Sequence, residues 1–382
     1  MILQLKVDAT DGAARVGRLQ TPRGSFAVPA FMPVGTRGSV RAVSSADMEN
    51  LGAEVMLANT YHLMLRPGVD VVAGLGGLHA FTSWPGHLLT DSGGYQVYSL
   101  GPKVDDDGVT FRSVYDGSSH RLTPEGAVRI QEQLGADIQM VLDVCPALPS
   151  PPDVLRLAVE RTADWAARAK LAHRRDGQAL FGIVQGGTDE ALRAESARRT
   201  VELDFEGYGI GGLAVGEGPE ARLAALASAV TELPTDRPRY LMGVGDPVGL
   251  VEAVAMGVDL FDCVAPTRWA RHGRVLTGEG PLQLRNAVFR CDPGPLDPDC
   301  RCVTCSRWSR AYLRHLLMVG EPSALRLLSL HNLAWTLNLM ESVGEAVRTG
   351  TLGSLRRQVA SVWDAARSGS RPRGRGSVTR RG

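Results

Sequence analysis

Three acids and one glutamine close short apolar runs: Asp91 ends Leu88–Asp91, Asp143 ends Ile138–Asp143, Gln185 ends Leu180–Gln185 and Asp262 ends Asp259–Asp262. A lone aspartate after a strand commonly caps the next helix. Several such side chains at the same end of different runs point instead to one shared pocket, where a carboxylate can serve as nucleophile, proton shuttle or hydrogen-bond acceptor. The segment Asp91-Ser92-Gly93-Gly94-Tyr95 adds a hydroxyl and two glycines, so the backbone can turn sharply and approach a ligand with no Cβ in the way. A second centre lies near the carboxyl end. Three of the six cysteines are Cys300, Cys302 and Cys305, too close together for a disulfide framework, and clustered thiols of this kind read as zinc ligands. A closed tetrahedral site needs a fourth ligand, and His315 and His331 are the nearby candidates.

The elements that must position these groups follow from the hydrophobic pattern. Eight short apolar runs occur, at Pro29–Val34, Glu54–Ala58, Leu88–Asp91, Ile138–Asp143, Leu180–Gln185, Tyr208–Gly212, Tyr240–Val244 and Asp259–Asp262. Amphipathic stretches of helical length fall between them, including Pro124–Leu134, Val154–His173, Thr188–Val201, Pro219–Thr231 and Pro247–Ala255. This alternation predicts an α/β protein with parallel βα units, and eight strands close a (β/α)8 TIM barrel whose site lies at the carboxyl ends of the strands. Two stretches break the rhythm: Val109–Leu122 alternates around Asp116-Gly117, a hairpin pattern, and a zinc-binding insertion is expected at about 286–335.

A chain of 382 residues, 44% of them hydrophobic, is read as a single catalytic domain over 1–366 followed by a disordered basic tail at 367–382. That tail solubilises the chain or touches RNA phosphates. No run of roughly 18 apolar residues occurs and the amino end lacks an apolar leader core, so no membrane association is expected and the location expected is cytoplasmic. Gly207, Gly209 and Gly212 spell a G-x-G-x-x-G, but inside an apolar run rather than in a turn before a helix. No organic cofactor is therefore expected.

Taken in order, Asp91–Leu100, Phe181–Gly186, Gly211–Glu217, Arg239–Gly245 and Phe261–Arg271 resemble the bacterial queuine tRNA-ribosyltransferases, also called tRNA-guanine transglycosylases. The similarity runs from about Phe26 to the final helices. The resemblance implies that Asp262 is the nucleophile attacking the anomeric carbon of the wobble nucleotide and that Asp91 is the general acid/base. It implies that the base is bound by Asp91, Ser92, Gly93, Gly94, Tyr95, Asp143, Gln185, Gly212, Leu213 and Met242, with Tyr95 and Met242 sandwiching the ring and the Leu213 carbonyl accepting from an aminomethyl group. RNA contacts are implied for Gly243, Val244, Gly245, Asp246, Pro247, Val248 and Gly249, and for Thr267, Arg268, Trp269, Ala270 and Arg271. The stretch Leu330-His331-Asn332-Leu333 selects His331 as the fourth ligand of one structural zinc ion. The partners implied are tRNAs with G-U-N anticodons (those for Asp, Asn, His and Tyr), a 7-deazaguanine base and a second copy of the chain in a homodimer.

The chemistry agrees with these residue types. Replacing one base by another at the same carbon with retained configuration calls for two displacements through a covalent intermediate. A second carboxylate can give a proton to the departing guanine and take one from the arriving base. A guanine edge presents donors to Asp143 and an acceptor to the Gln185 amide and the Gly212 N–H. This sequence has Val144 and Pro146 where bacterial relatives usually have Glu and Thr, and Ala265, Trp269 and His272 where they have Met, Asn and Asn. Val215 stands where the eukaryotic enzymes have glycine, which predicts a narrower pocket and 7-aminomethyl-7-deazaguanine as the incoming base, with queuine as the alternative. Two other classes are weighed. A noncatalytic tRNA-binding subunit is disfavoured by the presence of both Asp91 and Asp262, and a barrel metallohydrolase by the lack of histidine at the strand ends.

Overall fold

A computed structural model describes residues 2–367. The basic stretch 368–382 lies outside the described residues. The chain opens with three antiparallel strands, β1 (Gln4–Asp11), β2 (Ala14–Thr21) and β3 (Gly24–Val28). A closed barrel follows, built from β4 (Ala30–Gly35), β5 (Val55–Asn59) and β6 (His87–Asp91), then, after a three-stranded insertion of β7 (Lys103–Asp105), β8 (Gly108–Arg112) and β9 (Ser119–Leu122), from β10 (Ile138–Met140), β11 (Ala179–Val184), β12 (Gly207–Ile210), β13 (Arg239–Leu241) and β14 (Leu260–Cys263). Each of the eight apolar runs supplies one barrel strand. The neighbours pair in parallel, and β14 closes the ring on β4 through Phe261 opposite Phe31 and Asp262 opposite Met32. A final pair, β15 (Arg274–Val275) and β16 (Leu282–Gln283), lies beyond the ring.

Helices fill the connections: α1 (Ser45–Asn50), α2 (Thr60–Leu63), α3 (Val69–Gly74), α4 (Gly77–Thr82), α5 (Gly94–Tyr98), α6 (Pro124–Leu134), α7 (Pro152–Ala172), α8 (Glu190–Val201), α9 (Pro219–Glu232), α10 (Pro247–Ala255) and α11 (Ala265–Arg271). Their starts are written locally. Thr123, Asp189 and Asp246 cap α6, α8 and α10 by accepting from the third following backbone N–H, and proline occupies the first turn of α6, α7, α9, α10 and α11, where no intrahelical donor is lost. After the ring come α12 (Val303–Arg307), α13 (Arg310–Val319), α14 (Pro322–Arg348) and α15 (Leu352–Arg367).

The expected hairpin is present as β8 and β9, paired from Val109 opposite Leu122 to Arg112 opposite Ser119, with β7 added on the other edge of β8. The run ending at Asp143 is extended only as far as Met140; one further bond, from Val141 N–H to the Phe181 carbonyl, continues the ladder, and Val144 N–H turns away to Thr162 Oγ1. Asp143 therefore sits on irregular backbone just above the sheet.

The amino-terminal sheet, unmarked in the alternation, covers the end of the barrel opposite those strand tips. Arg15 reaches Asp259 through two bonds of 2.7 and 2.6 Å and also holds the Arg237 carbonyl, Arg23 pairs with Asp137, and Ala27 N–H donates to Glu54. All four partners precede barrel strands. With one end of the barrel sealed, only the carboxyl end of the strands is open to substrate. Helix α14 packs against β1, β2 and β4 and against α11, so the residues following the last strand complete the outer wall beside β4, and no break in this 27-residue helix falls near 335.

Candidate active site and metal centre

Asp262, on β14, is fixed by two donors. The Tyr240 hydroxyl donates to its Oδ1 at 2.7 Å and the Gly243 N–H donates to the same oxygen at 2.8 Å. Tyr240 lies on the neighbouring strand, in register opposite Leu260. Gly243 takes φ of +77°, a conformation that glycine adopts without steric cost. Both bonds fall on Oδ1, and no described residue donates to Oδ2. Burial raises the pKa of Asp262, and the two donors oppose that rise.

Asp91 ends β6. Its Oδ2 accepts from Asn59 Nδ2 at 2.6 Å, and its Oδ1 accepts from the backbone N–H groups of Thr60 and Gly93, each at 3.1 Å. Burial, and to a smaller degree the charge of Asp262, push the Asp91 carboxyl up to about 7, while those donors pull the other way. Two carboxylates that sense each other's charge cannot both ionise easily. Their environments differ: Asp262 is held through one oxygen by two donors, whereas the Asp91 carboxyl is poised to exchange a proton near neutrality.

Asp143 and Gln185 form a third station. Gln185 Nε2 donates to Asp143 Oδ2 at 2.6 Å, while Gln185 Oε1 is buried with no hydrogen-bond partner among the described residues. Burial pushes Asp143 up to about 6, against the Gln185 and Ser92 bonds that lower it. Two glycines leave room for this pair: a Cβ on Gly94 would come within 2.6 Å of Asp143 Oδ1, and one on Gly212 within 2.2 Å of Gln185 Oε1. Gly212 also takes φ of +65°. Leu213 is buried beside it, Met242 is half-buried on the far side of Gly211, and Tyr95 is 55% exposed on α5, so Tyr95 is no core residue.

Arg193, wholly buried on α8, donates to four carbonyls: those of Gly187 (2.7 Å), Val184 (3.1 Å), Gly211 (2.7 Å) and Gly212 (3.1 Å). No carboxylate pairs with it among the described residues. Burial lowers its pKa to about 10, so it stays cationic at neutral pH, and its planar fork ties the ends of β11 and β12 together under Gln185 and Gly212. Tyr240, Asn59 and Arg193 were missed by sequence reasoning. Tyr240 shares the strand face of Met242, two residues on, and Asn59 immediately follows the second apolar run, so both carried a positional signal. Arg193 looks like any other arginine of a charged helix.

Around the mouth, α11 exposes Arg268 and half-buries Trp269 and Arg271, while Thr267 and Ala270 face inward. Arg274 lies over the Trp269 ring at 4.8 Å. In the loop after β13, Gly243 is exposed and Asp246 and Val248 are half-buried; Val244, Gly245, Pro247 and Gly249 are buried. Asp246 caps α10 and pairs with Arg222 at 3.0 Å.

The cysteine cluster gathers as expected. One donor atom each from Cys300, Cys302, Cys305 and His331 lies within 4.8 Å of all the others. His331 turns Nδ1 toward Cys305 Sγ (3.2 Å) and Cys302 Sγ (3.5 Å), and its Nε2 holds the Leu276 carbonyl at 2.8 Å. Such a carbonyl fixes the tautomer that presents Nδ1 to a metal. Three thiolates and one imidazole fit the closed tetrahedral coordination of structural zinc, with no position left for a reactive water. His315 lies exposed on α13, outside the cluster.

A sealed (β/α)8 barrel with paired carboxylates at the open strand ends and a Cys3His centre beyond the ring defines a barrel enzyme with a structural metal site. The sequence profile of the family described as queuine tRNA-ribosyltransferase matches residues 10–365. Among proteins called queuine tRNA-ribosyltransferase, that of Symbiobacterium thermophilum is 51% identical over 366 residues (95% of this chain, 92% of the relative). One from Thermus thermophilus is 52% identical over 359 residues (94% and 93%), and that of Desulforudis audaxviator 53% over 348 (90% and 94%). The chain belongs to the queuine tRNA-ribosyltransferase family. None of its described helices is long and apolar enough to cross a membrane.

Proposed function

We propose that this chain is a catalytic tRNA-guanine transglycosylase, a pentosyltransferase of queuosine biosynthesis that exchanges the wobble guanine of G-U-N tRNAs for 7-aminomethyl-7-deazaguanine. The observation that carries this reading is the pair Asp262 and Asp91, one held by Tyr240 and Gly243 through a single oxygen, the other pushed up to about 7. Asp262 Oδ2 attacks the anomeric carbon as the bond to guanine breaks, and protonated Asp91 gives its proton to the leaving base. The incoming base then loses a proton to Asp91 and displaces Asp262, so configuration is retained and the proton account closes. Asp143 accepts from the base edge, and the Gln185 amide turns from Asp143 to the base when the base is seated. Tyr95 and Met242 cover the ring, and Val215, half-buried after Leu213, limits the group carried at the 7-position.

Residues 1–366 act as one catalytic unit, with zinc shaping the segment beyond the ring. The Gly243–Gly249 loop and the Thr267–Arg271 helix read the anticodon, the protein works in the cytoplasm, and two copies pair around one tRNA. The test is transfer of radiolabelled guanine into unmodified tRNA with a G-U-N anticodon, comparing wild type with Asp262→Asn and Asp262→Ala. Label at the wobble position with wild type alone is expected. Folded, zinc-loaded wild type that incorporates nothing would favour a noncatalytic tRNA-binding subunit.

A further inference from the structure

Three consecutive barrel connections converge on one aromatic ring outside the pocket. The guanidinium of Arg66, beyond β5, lies 4.5 Å from the Tyr115 ring centre, and that of Arg37, beyond β4, lies 5.3 Å from it. Tyr115 itself sits in the turn between β8 and β9, in the insertion after β6, and its hydroxyl is hydrogen-bonded to His62 Nδ1 at 2.9 Å. Arg37 and Arg66 are exposed, and among the described residues both lie against the Tyr115 ring and neither forms an ion pair with a carboxylate. His62, half-buried, has its pKa lowered by burial and by the charge of Arg37. A cationic pair gathered on an aromatic platform with no counter-ion is electrostatically unfavourable in the free protein and needs a reason to exist.

Topology supplies one. Strands β14, β4, β5 and β6 are neighbours in the ring, so the loops beyond them form one continuous arc of the mouth. Arg268 and Arg271 stand beyond β14, and Arg41 and Arg37 beyond β4. Burial, then the charges of Arg41 and Arg268, lower the pKa of Arg271, which places these three cations close together. The arc thus runs from α11 to the Tyr115 platform as a track of arginines; the carboxylate of Asp116, next to Tyr115, accepts from Ser118 in its own turn, and Asp47, beyond β4, pairs with Arg326. Such a track fits a polyanion laid along it rather than a small ligand.

We propose that Arg37 and Arg66, aligned by Tyr115, form a second phosphate-binding element for tRNA, gripping the sugar-phosphate backbone of the anticodon arm beyond the nucleotides that α11 reads. This rests on the transglycosylase reading for the identity of the RNA. Its chemistry is backbone contact, so it adds affinity without choosing sequence.

The test is direct binding of unmodified tRNA across a salt series to wild type, Arg37→Ala, Arg66→Ala and the double variant, with steady-state exchange and sedimentation alongside. Loss of one phosphate contact weakens binding uniformly and lowers the salt slope by about 1. The double variant should bind about ten-fold more weakly near physiological salt, with KM for tRNA raised and kcat and KM for guanine unchanged. Unchanged affinity and slope overturn the proposal. So does a shift of the double variant from dimer to monomer, which would assign the cluster to a subunit contact. Wild type that binds tRNA with the full slope but exchanges no base would refute the transglycosylase reading and leave the phosphate element standing.

Discussion

Tyr240 and Asp262, on adjacent barrel strands, are joined by a 2.7 Å hydrogen bond from the phenol to the carboxylate Oδ1. The bond orients the carboxylate we propose as nucleophile and also biases its ionisation. Burial favours the neutral acid, and the phenol favours the carboxylate. Removing the phenol raises the pKa of Asp262 further, so a larger share of enzyme is protonated and idle at a given acidic pH. Tyr240→Phe is expected to move the acid limb of the pH–rate profile for intermediate formation to higher pH and to lower kcat by about 10-fold, the worth of one hydrogen bond to a charged group. The alkaline limb should stay near 7, where Asp91 loses the proton it must donate. An acid limb that does not move would refute this role for Tyr240.

Arg193 ties four carbonyls beneath Gln185 and Gly212, the proposed base-binding station. Lysine keeps the charge but cannot span the four. Arg193→Lys is expected to raise KM for guanine about 10-fold or more, the loss of one or two charged hydrogen bonds, with KM for tRNA unchanged. Arg193→Met leaves buried carbonyls without donors and should cost about 3 kcal/mol of stability, read in denaturant titrations. If both variants lost stability and kept their KM for guanine, the residue would be a fold clamp only.

Val215 tests selection of the incoming base. It is half-buried, and its N–H donates to Glu217 Oε2 at 3.0 Å, a bond that glycine would keep. Val215→Gly is expected to raise queuine incorporation relative to guanine by about 10-fold, as relief of a steric exclusion worth one or two methylenes. Competition between labelled guanine and queuine measures it. An unchanged ratio would move the determinant away from this side chain.

Zinc is tested by His331→Ala. The imidazole is buried and turned toward the thiols by the Leu276 carbonyl. Bound zinc and melting temperature should fall together, measured by atomic emission and calorimetry. Zinc content that did not change would require a fourth ligand from outside the Cys3His set.

The legible parts of this protein are those where chemistry and period coincide. Eight apolar runs, each ending at or just before a polar or glycine residue, define both the ring and the end where side chains can converge, and Asp91 and Asp262 fall at that end. The cysteine spacing likewise announces its own purpose. The amino-terminal sheet was not visible, because its contacts are made between distant stretches: Arg15 meets Asp259 and Arg23 meets Asp137 only once the chain has folded. Arg193 was hidden for a related reason, since its partners are main-chain carbonyls, which leave no trace in the order of side chains. The Gln185 amide illustrates a third limit: its residue type allowed contact with a base, but its hydrogen bond to Asp143 depends on geometry.

The long helix α14 joins two jobs in one rod: His331 completes the cysteine cluster, the next residue, Asn332, holds the carbonyls of Pro266 and Arg274 and the N–H of Leu276, and the same helix packs against the first barrel strand and against α11. This imposes an order on biosynthesis. A chain emerging amino end first, at about 5–20 residues per second, carries β4 with an open edge until β14 has left the ribosome, and the three thiols wait for a histidine still further along. Metal capture is therefore among the last events in the birth of the protein, and a chain cut short before His331 closes its ring but lacks most of the helix that covers β4 and leaves three thiols without their fourth ligand.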